Sequence, residues 1–121
     1  MKKPNYTVYA LIDPRDNNIR YIGITDNPER RLDEHLSGRG GNTPKRTWIN
    51  ELRELGLTPR MQPLERGLCL STALEREHFL VQHYLNAGKE LVDLRLTPLN
   101  MALILLLLRV LLMVTLLLKL L

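Results

Sequence analysis

The sequence predicts a small α/β domain followed by a long apolar helix. Signals for strands and helices alternate through residues 1–100, and a sharp change in composition follows Asn100. The strand signals lie at 6–12, 19–24 and 60–68, and the helix signals lie at 26–36, 44–55 and 71–85. Residues 101–121 are almost wholly apolar, so we expect one domain over 1–100 and a separate apolar helix over 101–121.

Composition limits the classes of function. The formal net charge of +4 suits a polyanionic partner but does not require one. The single cysteine, Cys69, excludes an internal disulfide and fits a reducing compartment such as the cytoplasm. The three histidines lack the spacing of zinc ligands. The opening MKKPNY is not followed by an apolar run, so we expect no secretory signal.

The first two strands are expected to form a hairpin. YTVYALI and IRYIGI are rich in β-branched and aromatic residues, and the intervening DPRDNN is dense in turn formers. A turn centred near Arg15 would place Tyr9 and Tyr21 opposite each other on one face. A shift of one residue would separate the two phenols, so this register is a hypothesis.

The helix predicted over 26–36 has a clear start. Asn27 can cap it, and Pro28 suits its first position. Leu32 and Leu36 mark its expected buried stripe, with His35 beside them.

A second helix and a third strand are predicted in the middle of the chain. Trp48 and Ile49 are expected to face the core from the helix, which Gly56 ends. The strand at 60–68 is weakened by Pro63, which cannot donate a hydrogen bond to a neighbouring strand.

The helix predicted over 71–85 carries an acid in an unexpected place. Thr72 and Glu75 are expected to form a capping box. The apolar residues of the helix are Ala73, Leu74, Leu80, Val81 and Tyr84. Glu77 falls in the middle of their stripe, whereas Glu75 lies about 200° away around the helix. A carboxylate in an apolar stripe is costly unless a cation or a metal ion meets it.

Taken in order, these residues resemble the GIY-YIG nuclease domain. The matching elements are TVY at 7–9, YIG at 21–23, the arginine-x-x-x-histidine pair Arg31 and His35, EREHFLV with Glu77 as its second glutamate, and Asn100. Thr7 and Val8 replace the glycine and isoleucine of the first tripeptide, but both suit a strand and leave the tyrosine in place. The resemblance covers residues 5–100 and excludes the apolar segment.

The resemblance implies a small central antiparallel sheet flanked by helices, and hydrolysis of DNA phosphodiesters with one divalent ion. Tyr9 would orient or deprotonate the attacking water, and Tyr21 would hydrogen-bond in the same cluster. Arg31 would grip the scissile phosphate with two donors, and His35 would support the cluster. Glu77, a hard oxygen ligand, would hold Mg²⁺ or Mn²⁺ with waters completing the shell.

Further residues are expected around this centre. Gly23 and Asn100 would support it, and the expected DNA-binding residues are Arg30, Arg39, Lys45 and Arg46. The alternative is that the basic residues of the glycine-rich loop at 37–46 lie on a solvated surface and do not bind DNA. Taken singly, the tyrosines could be core residues, and Glu77 could be a buried ion-pair partner of Arg31. The alternative function is a non-catalytic nucleic-acid-binding or membrane-tethered module on the same scaffold.

The domain leaves no room for a separate module that reads base sequence. We therefore expect low intrinsic specificity, with a protein partner or the DNA structure supplying the choice of target.

Residues 101–121 are long enough to span a bilayer as a helix, since ~20 residues cover about 30 Å. Their twelve leucines outweigh Arg109 in membrane insertion, and Lys119 can reach the interface from the helix end. A membrane anchor that leaves the domain in the cytosol is one expectation. A helix that packs on a partner or on itself, and an accidental sequence produced by a frameshift, are the alternatives.

Overall fold

The computed structural model describes residues 4–37, 43–92 and 98–121, with side chains from 103 onward in the last range. Its elements in chain order are β1 (Tyr6–Ile12), β2 (Ile19–Thr25), α1 (Pro28–Leu36), α2 (Pro44–Glu54), β3 (Arg60–Leu68), α3 (Leu70–Asn86) and α4 (Pro98–Leu120). The strands form one antiparallel sheet in the order β2-β1-β3. The predicted α/β class, with a three-stranded sheet, flanking helices and an apolar helix, is confirmed.

The hairpin register differs from the prediction. Tyr9 pairs with Gly23, and Leu11 pairs with Tyr21, so the two tyrosines are diagonal neighbours instead of a direct pair. These pairs are centred on residue 16, one residue after Arg15, and the pairing shifts between Leu11 and Ile12. Because the offset is two residues, both phenols still lie on the same face.

The sheet is covered on both of its faces, and its central strand, β1, contributes side chains to the buried cluster on each face. The cluster on one face contains Tyr9, Leu11, Trp48, Ile49, Leu52 and Val92. The cluster on the other face contains Val8, Ile22, Ala73, Val81 and Leu91. Since neighbouring residues of β1 point to opposite faces, α2 covers the face that carries the tyrosines and α3 covers the other.

The edge position of β3 explains why Pro63 is tolerated. The strand pairs only with β1, and its register shifts next to Pro63, between the partners of Val8 and Tyr9. A proline is compatible with an edge strand and with a bulge, because neither requires every N–H to pair.

The starts of α1 and α2 follow the expected capping chemistry. The Asn27 side chain accepts a hydrogen bond from the Arg30 N–H at 3.1 Å, and Pro28 follows it. Thr43 accepts from the Arg46 N–H at 3.1 Å in the same way, and Pro44 follows. In α1 the fully buried residue is His35, whereas Leu32 and Leu36 are half-buried.

The predicted capping box of α3 is wrong. The helix begins at Leu70, directly after β3, and its N-cap is Cys69, which makes no side-chain capping bond. Thr72 is thus the third helical residue, and its hydroxyl lies 3.1 Å from the Cys69 sulfur. Leu74 is exposed and outside the buried stripe, whereas Glu77 is buried with Ala73 and Val81 as expected.

Candidate active site

Four of the predicted site residues lie together on the α2-covered face of the sheet. The ring centres of Tyr9, Tyr21 and His35 are 5.4–6.2 Å apart in pairs. The Nε of Arg31 lies 3.4 Å from the Tyr9 hydroxyl oxygen. We call Tyr9, Tyr21, Arg31 and His35 the tyrosine cluster.

Two elements position these side chains. The diagonal register of the hairpin places both phenols on one face of the sheet. Arg31 and His35 are four residues apart on α1, so they occupy neighbouring places on one side of that helix. The arginine-x-x-x-histidine spacing therefore places the Arg31 guanidinium and the His35 imidazole beside the same side chain, the Tyr9 phenol.

The strongest contact in the cluster joins Tyr9 to His35. The hydroxyl oxygen lies 2.7 Å from Nε2, and both side chains are buried. Burial, and then the nearby charges of Lys45, Arg31 and Arg46, lower the pKa of His35 to about 3, so its ring is neutral at pH 7.

The phenol of Tyr9 is protonated for a related reason. Burial raises its pKa, and Tyr21 adds to the effect, while Arg31 opposes it. In the imidazole tautomer protonated at Nδ1, the Tyr9 O–H donates to Nε2, and in the other tautomer the Nε2–H donates to the phenol oxygen. The Arg31 Nε donates to the same phenol oxygen, so Tyr9 lies between a cation and an imidazole.

Arg31 is held at the edge of the cluster by Glu34. Its Nη1 lies 2.7 Å from the Glu34 carboxylate. Burial lowers the pKa of Arg31, but the hydrogen bonds to Glu34 and Tyr9 outweigh it and raise that pKa, so the guanidinium stays charged. Sequence reasoning missed Glu34, although its spacing of three residues from Arg31 on a helix was the signal for a pair.

Gly23 leaves the space that Tyr9 occupies. A Cβ at this position would lie 2.7 Å from the Tyr9 hydroxyl and 2.8 Å from the Tyr21 ring. The predicted supporting role of Gly23 therefore has a steric basis, since any larger residue would displace the phenols.

The basic residues predicted to bind DNA have different surroundings. The ammonium of Lys45 lies 4.7 Å from the centre of the Tyr21 ring. Arg46 is buried and donates to the backbone carbonyl of His35 at 2.9 Å, so it braces α1 against α2. Arg30 is exposed and bonds to Asp26 at 2.9 Å.

Two predicted residues cannot be placed in the site. Arg39 lies outside the described residues, and so does the side chain of Asn100, whose backbone lies within α4. Their expected roles remain predictions.

Glu77 lies in the buried stripe of α3. It is 6% exposed on α3, between Ala73 and Val81, which pack on the face of the sheet opposite Tyr9.

The donor chemistry of Glu77 fits the divalent ion that the family implies. No group of three or more His, Cys, Asp or Glu side chains able to hold a metal occurs among the described residues. Any ion at Glu77 would therefore take at most two of these side chains from this part of the chain and fill its shell with water and substrate oxygens. Mg²⁺ is often bound in this way.

The comparison with protein families agrees with the fold and with the cluster. The chain matches the family model of the GIY-YIG catalytic domain over residues 5–90, more than half of its 121 residues. Searches of curated proteins and of solved structures each found no significant match. The matched range includes the tyrosine cluster and Glu77 and stops before α4. The chain therefore belongs to the GIY-YIG family, whose members are generally nucleases.

Proposed function

We propose that this protein is a metal-dependent endonuclease that hydrolyses DNA phosphodiester bonds with low intrinsic sequence specificity. The observation that carries the proposal is the hydrogen-bonded chain from Arg31 through Tyr9 to His35. These hydrogen bonds connect a cation, a phenol and a neutral imidazole. Phosphodiester hydrolysis needs these groups, because a nucleophile must lose a proton while negative charge grows on the phosphate.

In the proposed reaction, Tyr9 and His35 move the proton of the attacking water. The water hydrogen-bonds to the Tyr9 oxygen and transfers a proton to it, while the phenol proton passes to Nε2 of His35. The water oxygen bonds to phosphorus, and the bond between phosphorus and the leaving deoxyribose oxygen breaks with its electron pair going to that oxygen, which takes a proton from solvent. The relay keeps Tyr9 from becoming a free phenolate, and the protonated His35 that it forms then gives its proton to solvent, because burial disfavours both of these charged forms.

Arg31 and Lys45 would neutralise the phosphate. Arg31 is 34% exposed in its side chain, so it can reach a ligand while Glu34 holds it. Its planar guanidinium can donate two hydrogen bonds to phosphate oxygens. Lys45 would add a second charge beside Tyr21.

Glu77 would hold the Mg²⁺ or Mn²⁺ ion. The assignment is supported by the family match and by the burial of this carboxylate in an otherwise apolar stripe. When bound, the ion would supply positive charge to the phosphate and the leaving oxygen.

We propose residues 1–100 as the nuclease unit and residues 101–121 as an appendage outside it. The family match over 5–90 supports this division. A unit of this size has little surface left for reading bases in the grooves, so target choice would come from DNA structure or from a protein partner.

The test is nicking of supercoiled plasmid by the full chain in a mild detergent, with Mg²⁺ or Mn²⁺ and with EDTA. We expect nicking only with the ion. Arg31→Gln should lower the rate about 10²-fold, because a phosphate cation is lost. Arg66→Gln is the control, since Arg66 is an exposed arginine on β3, outside the tyrosine cluster and the expected DNA-binding residues. Equal rates for both variants would refute the proposed site.

The packing of α3 on the face of the sheet opposite Tyr9 favours a second candidate, a non-catalytic nucleic-acid-binding module. Under this alternative the folded protein binds DNA with a strong dependence on salt but cuts it with neither ion.

A further inference from the structure

We propose that α4 crosses a lipid bilayer as a single span, with Arg109 in the leaflet nearest the nuclease domain. The proposal is independent of the proposed function, because it concerns where the domain is held and not what it cuts. It rests on the exposure, length and polar groups of α4.

The apolar part of α4 is not a core helix of this domain. Leu103–Leu120 has a mean hydropathy of 2.6, and none of this segment is buried within the structure. The helix follows the domain, whereas a signal sequence precedes the segment that it exports. The two common soluble explanations for such a helix therefore do not apply.

The distribution of apolar side chains indicates lipid as the surrounding medium. Residues 103–108 are six successive apolar residues, and each is exposed by 46–59%. Six successive positions cover every side of an α-helix. A protein groove covers one stripe of a helix, but a bilayer surrounds it on all sides. The 18 residues of the segment span about 27 Å, close to the ~30 Å of a hydrocarbon core.

The polar side chains of α4 are compatible with this environment. The Thr115 hydroxyl donates to the carbonyls of Leu111 and Leu112, at 3.0 and 2.8 Å, so it needs no partner outside the helix. Lys119 lies at the far end, where its ammonium can reach the second interface.

Arg109 defines the position of the helix in the membrane. It lies six residues after Leu103, about 9 Å into the segment. Helical side chains lean towards the N-terminus of their helix, so the guanidinium is directed to the leaflet on the domain side. There it can bind the phosphates of lipid headgroups.

The test adds the full chain from detergent to preformed vesicles of phosphatidylcholine and phosphatidylglycerol in a 3:1 ratio. We expect the protein to float with the vesicles and to resist extraction at pH 11. Leu112→Arg, which adds a central charge, should reduce flotation at least tenfold, whereas Arg109→Leu should retain it. The near-ultraviolet circular dichroism of Trp48 shows that the domain remains folded in each variant.

Cysteine labelling separates a spanning helix from one that lies on the surface. In a Cys69→Ser/Leu121→Cys protein, a membrane-impermeant maleimide should label residue 121 only after the vesicles are dissolved. Cys69 of the unmodified chain is exposed and should be labelled in intact vesicles. Labelling of residue 121 in intact vesicles, or sedimentation as a protein oligomer without lipid, would overturn the proposal.

Discussion

At the residue scale, the hydroxyl of Tyr9 is the group that transfers the proton in the proposed relay. Its oxygen lies 2.7 Å from Nε2 of a neutral imidazole and accepts from a guanidinium, and the proposed relay passes its proton to that imidazole. A phenol on a strand is usually a packing residue, and Tyr6 on the same strand is one. The contacts of the hydroxyl, and not the residue type, distinguish the two.

Removal of the Tyr9 hydroxyl should therefore abolish most activity without unfolding the protein. We expect Tyr9→Phe to reduce plasmid nicking at least about 10²-fold, the usual contribution of a proton-transfer group. Tyr6→Phe should nick at the wild-type rate, which makes it the matched control. A Tyr9→Phe protein with full activity would exclude the relay through His35.

The lowered pKa of His35 predicts a dependence of stability on pH. Its ordinary pKa is 6.5, and its pKa in the folded protein is about 3. Between these values the unfolded chain binds a proton that the folded protein does not, so acid favours unfolding. The stability is fully present above pH 6.5 and decreases as the pH falls towards 3.

The size of this effect can be measured by urea unfolding. From pH 7 to pH 5, titration of His35 should lower the free energy of unfolding by about 2 kcal/mol. This window stays above the ordinary range of Asp13 and Glu65, whose pKa values are lowered by their bonds to Arg15 and Arg76. His35→Gln should flatten the slope, and an equal slope in that variant would contradict the assignment.

At the element scale, the hairpin and α1 build the cluster together. The backbone of β2 must come close to the Tyr9 ring, because the phenol fills the space above Gly23. The turn also ties β1 to α2, since the buried Asp13 accepts from Arg15 and from the indole N–H of Trp48 at 2.9 Å. The contact between Gly23 and Tyr9 and the hydrogen bond between Asp13 and Trp48 lie on the side of the sheet where α1 and α2 pack, and both hold that side in place.

Gly23→Ala should displace the phenols. We expect a loss of about 1–3 kcal/mol in the free energy of unfolding, because the new methyl overlaps two rings, and a loss of nicking of at least about tenfold. The cost should be smaller when Tyr9→Phe is also present, since the nearest atom is the Tyr9 hydroxyl oxygen. An equal cost in both backgrounds would show that this oxygen is not the obstruction.

The sequence correctly predicted the elements that have strong local signals. It was less successful for features that depend on neighbouring elements, such as strand register and the start of α3. Asn27 and Pro28 specify the start of α1 through local capping chemistry, so the prediction was confirmed. The hairpin register depended on the turn path and on a shift at Leu11, which residue types do not encode. The capping box failed because α3 follows β3 at once, and Cys69 takes the cap position before Thr72.

At the scale of the whole molecule, β1 separates two chemically different halves. The tyrosine cluster lies on the face covered by α2, and Glu77 lies on the helix that covers the other face. The family resemblance named these residues together, but the face that α3 covers depends on the path of the chain after β3. That path is set by tertiary packing and not by the helical pattern around Glu77, so the face on which α3 packs could not be predicted.

The central claim is that Glu77 and the tyrosine cluster serve one metal-dependent nuclease centre. The most direct measurement compares Glu77→Gln with Glu75→Gln in plasmid nicking and in Mn²⁺ binding, using the full chain in detergent. Glu75 is exposed on the same helix, so it controls for the loss of one charge from α3. We predict that Glu77→Gln, folded as judged by circular dichroism, loses both nicking and Mn²⁺ binding, whereas Glu75→Gln keeps both. Nicking at the wild-type rate by Glu77→Gln would contradict the account.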